Sequence, residues 1–557
     1  MRKRIEGKVA LLSVYNKRGI TDFATELVGL GWTLVSSGGT AKALTEAGLP
    51  VTDVAELVGG GAILGHRVVT LSREVHAGLL ARHGVPEDEK EMAELLLPFI
   101  DLVCVDMYPL EDEIARAEAT EESVIEKTDI GGPTMLSAAA KARRIVICDP
   151  ADRTKVIAWL EDGEPDREEF LRMLAAKADY TVSLYRGLSA MFHGGDRYVV
   201  LGGTKKLECK YGENGYQKPA YLYSRNTDDP LALDKFQLVA GTAPSYNNLC
   251  DLDRLLQTLT HINAAMTLAD SRGTWKIAVV AKHGNACGAA VSWRRKESIK
   301  KMVEGDPLAI FGGLVICNFH FEAEDAELLL THKMPKGKRR LLDGLIVPSI
   351  TEEAVEMLER KGDKCRILFN PTLLTSLTEK AVESLDRRSR FRYVRGGFLV
   401  QPNYTFVPLL SDPRLEKVGR QATSHQEMAM LLAKAVCDTS NSNTITLAKI
   451  HHYGSRVDAV TYHLIGNGVG QQARVHGANL AIERARTAGH NLRGAVAASD
   501  SFFPETDGPE VLAKAGIRAI FGTSGSVRDK EVKAFCRKNR VKLYLIPDSV
   551  GRGFFGH

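Results

Sequence analysis

The sequence predicts an α/β protein of two or more domains, the first built on a parallel sheet with helices on both faces. Three observations carry this: length, composition, and an alternation of short apolar runs with helical stripes. At 557 residues, 44% hydrophobic and 25% charged, the chain has a globular composition but exceeds one ordinary core. Its formal net charge of +4 is small for that length and no basic arm is present, so composition gives no reason to favour nucleic acid.

The elements follow in order. MRKRIEGKVALLSVYNKRG begins like a signal peptide, but its apolar part is one strand long, meets Asn16, Lys17 and Arg18, and lacks a small-residue cleavage site. KVALLSV is therefore read as the first strand. Ile20, Phe23, Ala24, Leu27 and Val28 then fall at the spacing of a helix packed on a sheet, and Gly31 ends it. A second strand, TLV, runs into Ser36-Ser37-Gly38-Gly39-Thr40, and AKALTEAG is the next helix, with Thr40 as expected N-cap and Gly48 as its stop.

This β-α-β-α order places ligands beyond the carboxyl ends of the strands. There SSGGT has a use: glycines let backbone approach an anion, and free N–H groups at a helix start favour negative charge, phosphate above all. Alone, SSGGT more often reads as a simple turn capping a helix. Lys17 and Tyr108, the latter ending FIDLVCVDMYPL, are expected at the same sheet edge. Thr128-Asp129-Ile130-Gly131-Gly132-Pro133 before MLSAAAKA is read as bringing a carboxylate, a glycine turn and Lys141 into one unit able to do acid–base work.

No apolar run approaches the roughly 20 residues needed to span a bilayer. Nine cysteines without a C-x-x-C pair argue against a disulfide framework or structural zinc. A soluble, cytoplasmic protein is expected, with no catalytic metal. The helical stretches ADRTKVIAWL and REEFLRMLAAKADYTVSLYRGLSAMF are read as separating two domains, 1–200 and 201–557.

In the second domain VVAKHGNACG, residues 279–288, ends an apolar run with Lys282, His283 and Cys287. A zinc deaminase needs H-x-E and P-C-x-x-C; here the text is His283-Gly284-Asn285, and Ala290 stands three past Cys287. Cys287 is read as a small residue filling a tight turn. Neighbours on a continuing strand face opposite ways, so Lys282 and His283 address one site only if the chain turns at Gly284. Histidine would then be a base near its working range, with lysine to donate a proton or stabilise negative charge. GNGVG at 466–470 lacks the dinucleotide fingerprint and is read as tight backbone near substrate. His451 and His452, in the insertion 450–463, are read as part of a solvated hairpin rather than a metal pair. The aromatic pair in SDSFFP reads as core on sequence alone.

The motifs SVYNKRG, SSGGTAKAL, GHRVVTL, VDMYPL and TDIGGPTMLSAAAKA resemble the IMP cyclohydrolase domain of the bifunctional purine biosynthesis enzymes. KYGENGYQ, AKHGNACGAA, DPLAIFGG, NSNTITLAK, GNGVGQQARV, SDSFFPETDG, GTSGSVRDKEV and GRGFFGH are similar, in order, to that family's aminoimidazole carboxamide ribonucleotide (AICAR) transformylase domain. The resemblance implies a methylglyoxal-synthase-like domain followed by two cytidine-deaminase-like α/β/α subdomains. It implies a homodimer with shared active sites, using 10-formyltetrahydrofolate as co-substrate to make formyl-AICAR and then IMP.

Carried over by motif, the formyl-transfer residues are Lys282, His283 and Asn443, with substrate contacts at Lys210, Tyr211, Asn248, Phe502 and Arg552. In the first domain the nucleotide contacts fall on Ser13, Lys17, Ser37, Gly38, Gly39, Thr40, Arg67 and Thr70, and the ring-closing residues on Tyr108, Asp129 and Lys141. Three departures stand out. Val69 occupies the place of an active-site lysine, Lys210 that of an arginine, and Tyr216 that of a histidine. Two alternatives stay open: a first domain kept only for nucleotide binding or as a scaffold, and a nucleotide sensor without activity.

Overall fold

A computed structural model describes residues 5–65, 67–225, 227–374, 381–454 and 459–556. The chain divides into two compact units, Met1–Gly202 and Gly203–His557. Among the described residues no helix is long and apolar enough to cross a membrane.

Unit 1 opens with β1 (Val9–Val14), α1 (Ile20–Gly29), β2 (Thr33–Ser36), α2 (Gly38–Glu46) and β3 (Val51–Asp53). It continues with α3 (Arg73–Leu80), β4 (Leu102–Asp106), α4 (Gly131–Lys141), β5 (Ile145–Ile147), α5 (Arg153–Glu161) and α6 (Arg167–Gly194). The five strands lie in the order β3-β2-β1-β4-β5, every neighbour parallel. Covered on both faces, the strands read as continuous apolar runs. Val9, Leu11, Leu12, Val103 and Val146 are fully or almost fully buried.

Two expectations are corrected here. The N-cap of α2 is Ser37, not Thr40. The chain enters the helix through Gly38 and Gly39, which leaves Thr40 one turn inside, its hydroxyl donating to the Val14 carbonyl and accepting the Val14 N–H, both at 3.1 Å. The stretches read as a separator are integral to unit 1: Val156, Ile157 and Trp159 of α5 and Leu171, Leu174 and Ala178 of α6 belong to its core.

Unit 2 is built by repetition. Its first half runs β8 (Gln237–Ala240), α7 (Tyr246–Ala269), the hairpin β9 (Lys276–Lys282) and β10 (Asn285–Ser292), α8 (Arg295–Glu304), β11 (Leu314–Cys317), α9 (Ala323–Thr331), β12 (Gly344–Val347), α10 (Glu352–Leu358) and β13 (Arg366–Phe369). Before it stands a separate hairpin, β6 (Thr204–Cys209) with β7 (Ala220–Ser224), and after it another, β14 (Ser389–Val394) with β15 (Gly397–Pro402). The second half runs β16 (Glu416–Val418), α11 (Ser424–Asp438), the hairpin β17 (Ile445–His452) and β18 (Val460–Gly468), α12 (Arg474–Thr487), β19 (Val496–Ser499), α13 (Asp507–Lys514), β20 (Ala519–Ser524), α14 (Asp529–Lys538) and β21 (Lys542–Pro547).

The sheet orders match, β10-β9-β11-β12-β13-β8 against β18-β17-β19-β20-β21-β16. Antiparallel pairing of β10 with β18 joins them into one twelve-stranded sheet. Helices α7 and α11 pack together, and both are apolar around much of their circumference, as buried helices are.

The glycines of the central hairpin strands answer to this packing. A Cβ on Gly288 would strike the Met302 carbonyl of α8, and Cβ atoms on Gly466 and Gly468 the Ala481 and Gly477 carbonyls of α12. GNGVG is thus tight backbone against a helix, as its glycines lead one to expect. Cys287 shifts: it lies at a bulge in β10, not in the turn, and burial pushes its thiol up to about 12. Such a thiol is no nucleophile near neutral pH.

Candidate active site

In unit 2 the turn after β9 is the two-residue connection His283-Gly284, with Asn285 paired to Lys282 across it. Both residues have positive φ, 53° and 70°. Such values define the two-residue hairpin turn that matches strand twist, and glycine supplies the second at no cost. Histidine is one of the few other residues that visits this region with any frequency. The chain therefore turns where Lys282 and His283 can leave the sheet end together. His283 is exposed, and Lys282 is half-buried with its Nζ donating to the Phe311 carbonyl at 2.8 Å.

A ladder of hydrogen bonds links this turn to the other motifs. The Gly284 N–H donates to Asp251 Oδ1 at 2.6 Å, anchoring the turn on the first turns of α7. Burial raises the Asp251 carboxyl above its usual range, against the Gly284 N–H and the charge of His283, which pull it down. One turn earlier on α7, Asn247 Nδ2 donates to the Glu213 carbonyl at 3.1 Å, tying in the loop that carries Lys210 and Tyr211. On the other side Asn285 Oδ1 accepts the Asn441 N–H at 3.2 Å.

Asn443 is held from three directions. Its Nδ2 donates to the carbonyls of Gln471 and Gln472 at 3.0 and 3.2 Å, and its Oδ1 accepts from Arg474 Nη2 at 2.8 Å. Arg474 in turn pairs with the fully buried Asp500, which also accepts from Ser442 Oγ at 2.6 Å. The Asp500 carbonyl takes the Gly553 N–H at 3.0 Å, bringing in the C-terminal segment.

The remaining expected contacts differ in character. Asn248 is buried and its side chain serves the α7 capping box, Oδ1 accepting from Ser245 N at 3.0 Å. Phe503 is core, whereas Phe502 is half-buried. Arg552 is exposed, 3.7 Å from Asp548, with its guanidinium over the Phe554 ring. Tyr216 is 84% exposed. His451 and His452 pair with Thr461 and Val460 on β17 and β18, while 455–458 lie outside the described residues. Among the described residues no group of three or more His, Cys, Asp or Glu gathers in a metal-holding arrangement.

In unit 1 the parallel order puts the ends of β1, β2 and β4 on one edge. Lys17, after β1, donates to the carbonyls of Val14 and Tyr15, and its Cε and Nζ lie over Gly39, where a Cβ would stand 3.6 and 3.8 Å from them. Burial lowers its ammonium, against Asp106, which raises it. Ser13, Ser37 and Gly38 sit beside it on β1 and at the start of α2.

Tyr108, just past β4, meets Tyr15 edge to face at 5.3 Å. Burial raises its hydroxyl, and Asp129, Glu126 and Tyr15 push the same way. Asp129 precedes α4, where its Oδ1 accepts the Gly132 N–H at 2.9 Å; burial raises its carboxyl against that bond. Thr70 is buried against Gly131, and the exposed Arg67 pairs with Glu126 at 2.8 Å. Lys141 is placed otherwise than expected. It ends α4, 11 residues long, and so lies about 15 Å down the helix axis at 1.5 Å per residue, exposed at the opposite sheet edge from Tyr108.

A family described as AICARFT/IMPCHase bienzyme matches residues 138–484, and one described as MGS-like domain matches 19–134. The chain is 35% identical over 541 residues to the bifunctional purine biosynthesis protein PurH of Nostoc punctiforme, covering 94% of this chain and 95% of that protein. It belongs to the AICARFT/IMPCHase bienzyme family. The protein of the same name from Halalkalibacterium halodurans is 34% identical over 530 residues, with coverage of 94% and 95%. A solved structure titled Crystal structure of ForH matches 35% of this chain and all of its own at 35% identity, with a TM-score of 0.31.

Val69 has its side chain half-buried against the unit 1 core. Arg73 is exposed beside Glu74, at 3.6 Å, on the first turn of α3. Sequence reasoning missed Asp251, Ser442, Arg474 and Asp500. Each is an ordinary polar residue in the text, and only long-range contacts give it a place beside Lys282, His283 and Asn443.

Proposed function

We propose that unit 2 transfers the formyl group of 10-formyltetrahydrofolate to the amine of AICAR, and that unit 1 closes the resulting formyl-AICAR to IMP with loss of water. The observation that carries this reading is the His283-Gly284 turn, tied through Asp251 to α7 and through Asn285 to the Asn441–Asn443 segment. As the amine attacks the formyl carbon, His283 takes its proton, and Lys282 serves the folate side, where the departing nitrogen needs one. Asn443, immobilised by Arg474, orients the reactants. Holding two bulky substrates in one geometry is a large part of such catalysis. Lys210, Tyr211, Phe502 and Arg552 are the substrate contacts of this reading, with Asn248 acting through the α7 cap.

In unit 1, Lys17 and the glycine-opened start of α2 form the phosphate cradle, and Tyr108 and Asp129 stand at the same edge for proton transfer. The working form is a cytoplasmic homodimer without a catalytic metal. A second reading, in which unit 1 binds nucleotide without chemistry, draws on Val69, a residue packed against apolar neighbours and unable to carry a proton. Incubating the purified chain with both substrates, then separately with formyl-AICAR, and resolving formyl-AICAR and IMP separates the readings. Formyl-AICAR that never becomes IMP favours the second; neither formyl-AICAR nor IMP from the first incubation rejects the formyl-transfer assignment.

A further inference from the structure

We propose that Lys127 is the working cation of the unit 1 site, a positioning residue that fixes Tyr108 and Tyr15 by their ring faces and places an ammonium beside the Tyr108–Asp129 pair. The inference rests on the ring-closing reading of unit 1. Lys127 Nζ lies 5.5 Å from the centroid of Tyr15 and 5.7 Å from that of Tyr108, whose rings meet at 81°. An ammonium within about 6 Å of a ring face is attracted by the ring quadrupole, so one cation here holds two rings at a fixed mutual angle. Tyr108 carries no side-chain hydrogen bond that would orient its ring among those described, and it is 43% exposed, which leaves Tyr15 and Lys127 to set its position.

Two contacts bracket the place where the charge is wanted. Arg67 pairs with Glu126, and Thr70 packs on Gly131, so residues 68–69 run alongside 127–130. Val69 packs against the core, and Lys127 stands two residues before Asp129.

The other nearby cations are committed elsewhere. Lys17 is bound to the Val14 and Tyr15 carbonyls over Gly39, Arg67 to Glu126, and Arg73 is exposed beside Glu74. Arg186 acts on Asp129 from α6, drawing its carboxyl down, but a guanidinium stays protonated and serves no proton transfer. The groups facing Tyr108 are therefore Tyr15, Asp129, Glu126, Tyr185 and Lys127; Tyr15, Asp129 and Glu126 raise the hydroxyl, Tyr185 accepts the Asp129 N–H at 2.8 Å, and Lys127 bears positive charge. In ring closure the carboxamide nitrogen bonds to the formyl carbon and the formyl oxygen takes the carbonyl electron pair and its negative charge; one proton from the carboxamide nitrogen and one from the formamide nitrogen, which ends in the new C=N bond, pass to that oxygen, and it leaves as water. A cation at this edge offsets that charge, and a fixed Tyr108 delivers the proton.

The test measures IMP formation from formyl-AICAR by the full chain and its Lys127→Met and Lys127→Arg variants. Loss of one ring-face cation with its charge predicts a kcat roughly tenfold or more below wild type in Lys127→Met, with KM changed less than about threefold. Lys127→Arg, which keeps charge and ring contact, is expected within about threefold of wild type. Wild-type kcat in Lys127→Met overturns the role of Lys127 and leaves ring closure standing. Equal loss in both variants also overturns it, because shape rather than charge would be the cause. A wild-type chain that makes no IMP overturns the ring-closing reading, and the proposal with it.

Discussion

Asn285 Oδ1 accepts the main-chain N–H of Asn441 at 3.2 Å, a bond between the hairpin of the first repeat and the segment before the hairpin of the second. Asn285 Nδ2 donates to the His283 carbonyl at 3.1 Å, so one side chain spans the two sides of the proposed site. Asn285→Ala removes both bonds. With about 1 kcal/mol of net worth for each, kcat for formyl transfer is expected to fall roughly five- to thirtyfold. Unchanged turnover would mean that the Asn441 segment is set without this bond.

Asp251 holds the turn from beneath. Asp251→Ala leaves the Gly284 N–H without its 2.6 Å acceptor, in a turn whose two residues already sit at positive φ. The predicted result is at least a tenfold fall in kcat from a misplaced His283, with smaller loss in Asp251→Asn, which keeps an acceptor oxygen. Steady-state kinetics of the two variants beside wild type check the order.

The Arg474–Asp500 pair is buried, and each partner makes further bonds to Asn443, Ser442 and Ser499. Removing one partner of such a pair leaves an uncompensated charge at a cost of about 3–5 kcal/mol. Arg474→Met is expected to lower the denaturant midpoint accordingly and to reduce formyl transfer, whereas Arg474→Met with Asp500→Asn recovers part of the stability. A double variant no more stable than the single one would show that packing, not charge, is lost.

Acid sensitivity has a marked source in His463, fully enclosed on β18, whose imidazole burial pushes down to about 3 from an ordinary 6.5. The folded protein binds its proton less readily than the unfolded chain. Its contribution is therefore complete above pH 6.5 and lost progressively as pH falls from 6.5 to 3. Glu304 acts lower: burial works to raise it, but His332 and Lys301 hold its carboxyl down to about 2, so that contribution is complete above 4.5 and lost as pH falls toward 2. Urea midpoints at pH 7.5, 5.5 and 4.5 for wild type and His463→Phe test the first window. The wild-type advantage should shrink, or its deficit grow, with each step down; a constant difference would contradict it.

Much of the fold was legible because its signals are local. The stripe at Ile20, Phe23, Ala24, Leu27 and Val28 and the strand–turn–helix around SSGGT depend on neighbours within one or two turns, and the structure keeps them. Thr40 misled because two glycines extended the helix one turn upstream, a preference that residue type at a single position does not report. Lys141 misled because twelve residues from Asp129 look close in text but span a whole helix. The Lys282–His283 turn was legible as a condition, that the chain bend at Gly284. Its supports were not, since Asp251 lies 33 positions away and Asn441 lies 156 from Asn285.

The central claim is that the turned Lys282–His283 pair carries formyl transfer beside Asn443. Its most direct test is the rate of formyl-AICAR formation from AICAR and 10-formyltetrahydrofolate by wild type, Lys282→Ala and His283→Ala, with AICAR affinity measured on each. Loss of a positioned proton-transfer group predicts a fall of about 10²-fold or more in kcat for each variant, with folding intact. Wild-type kcat in His283→Ala, with product still formed from both substrates, would contradict the account.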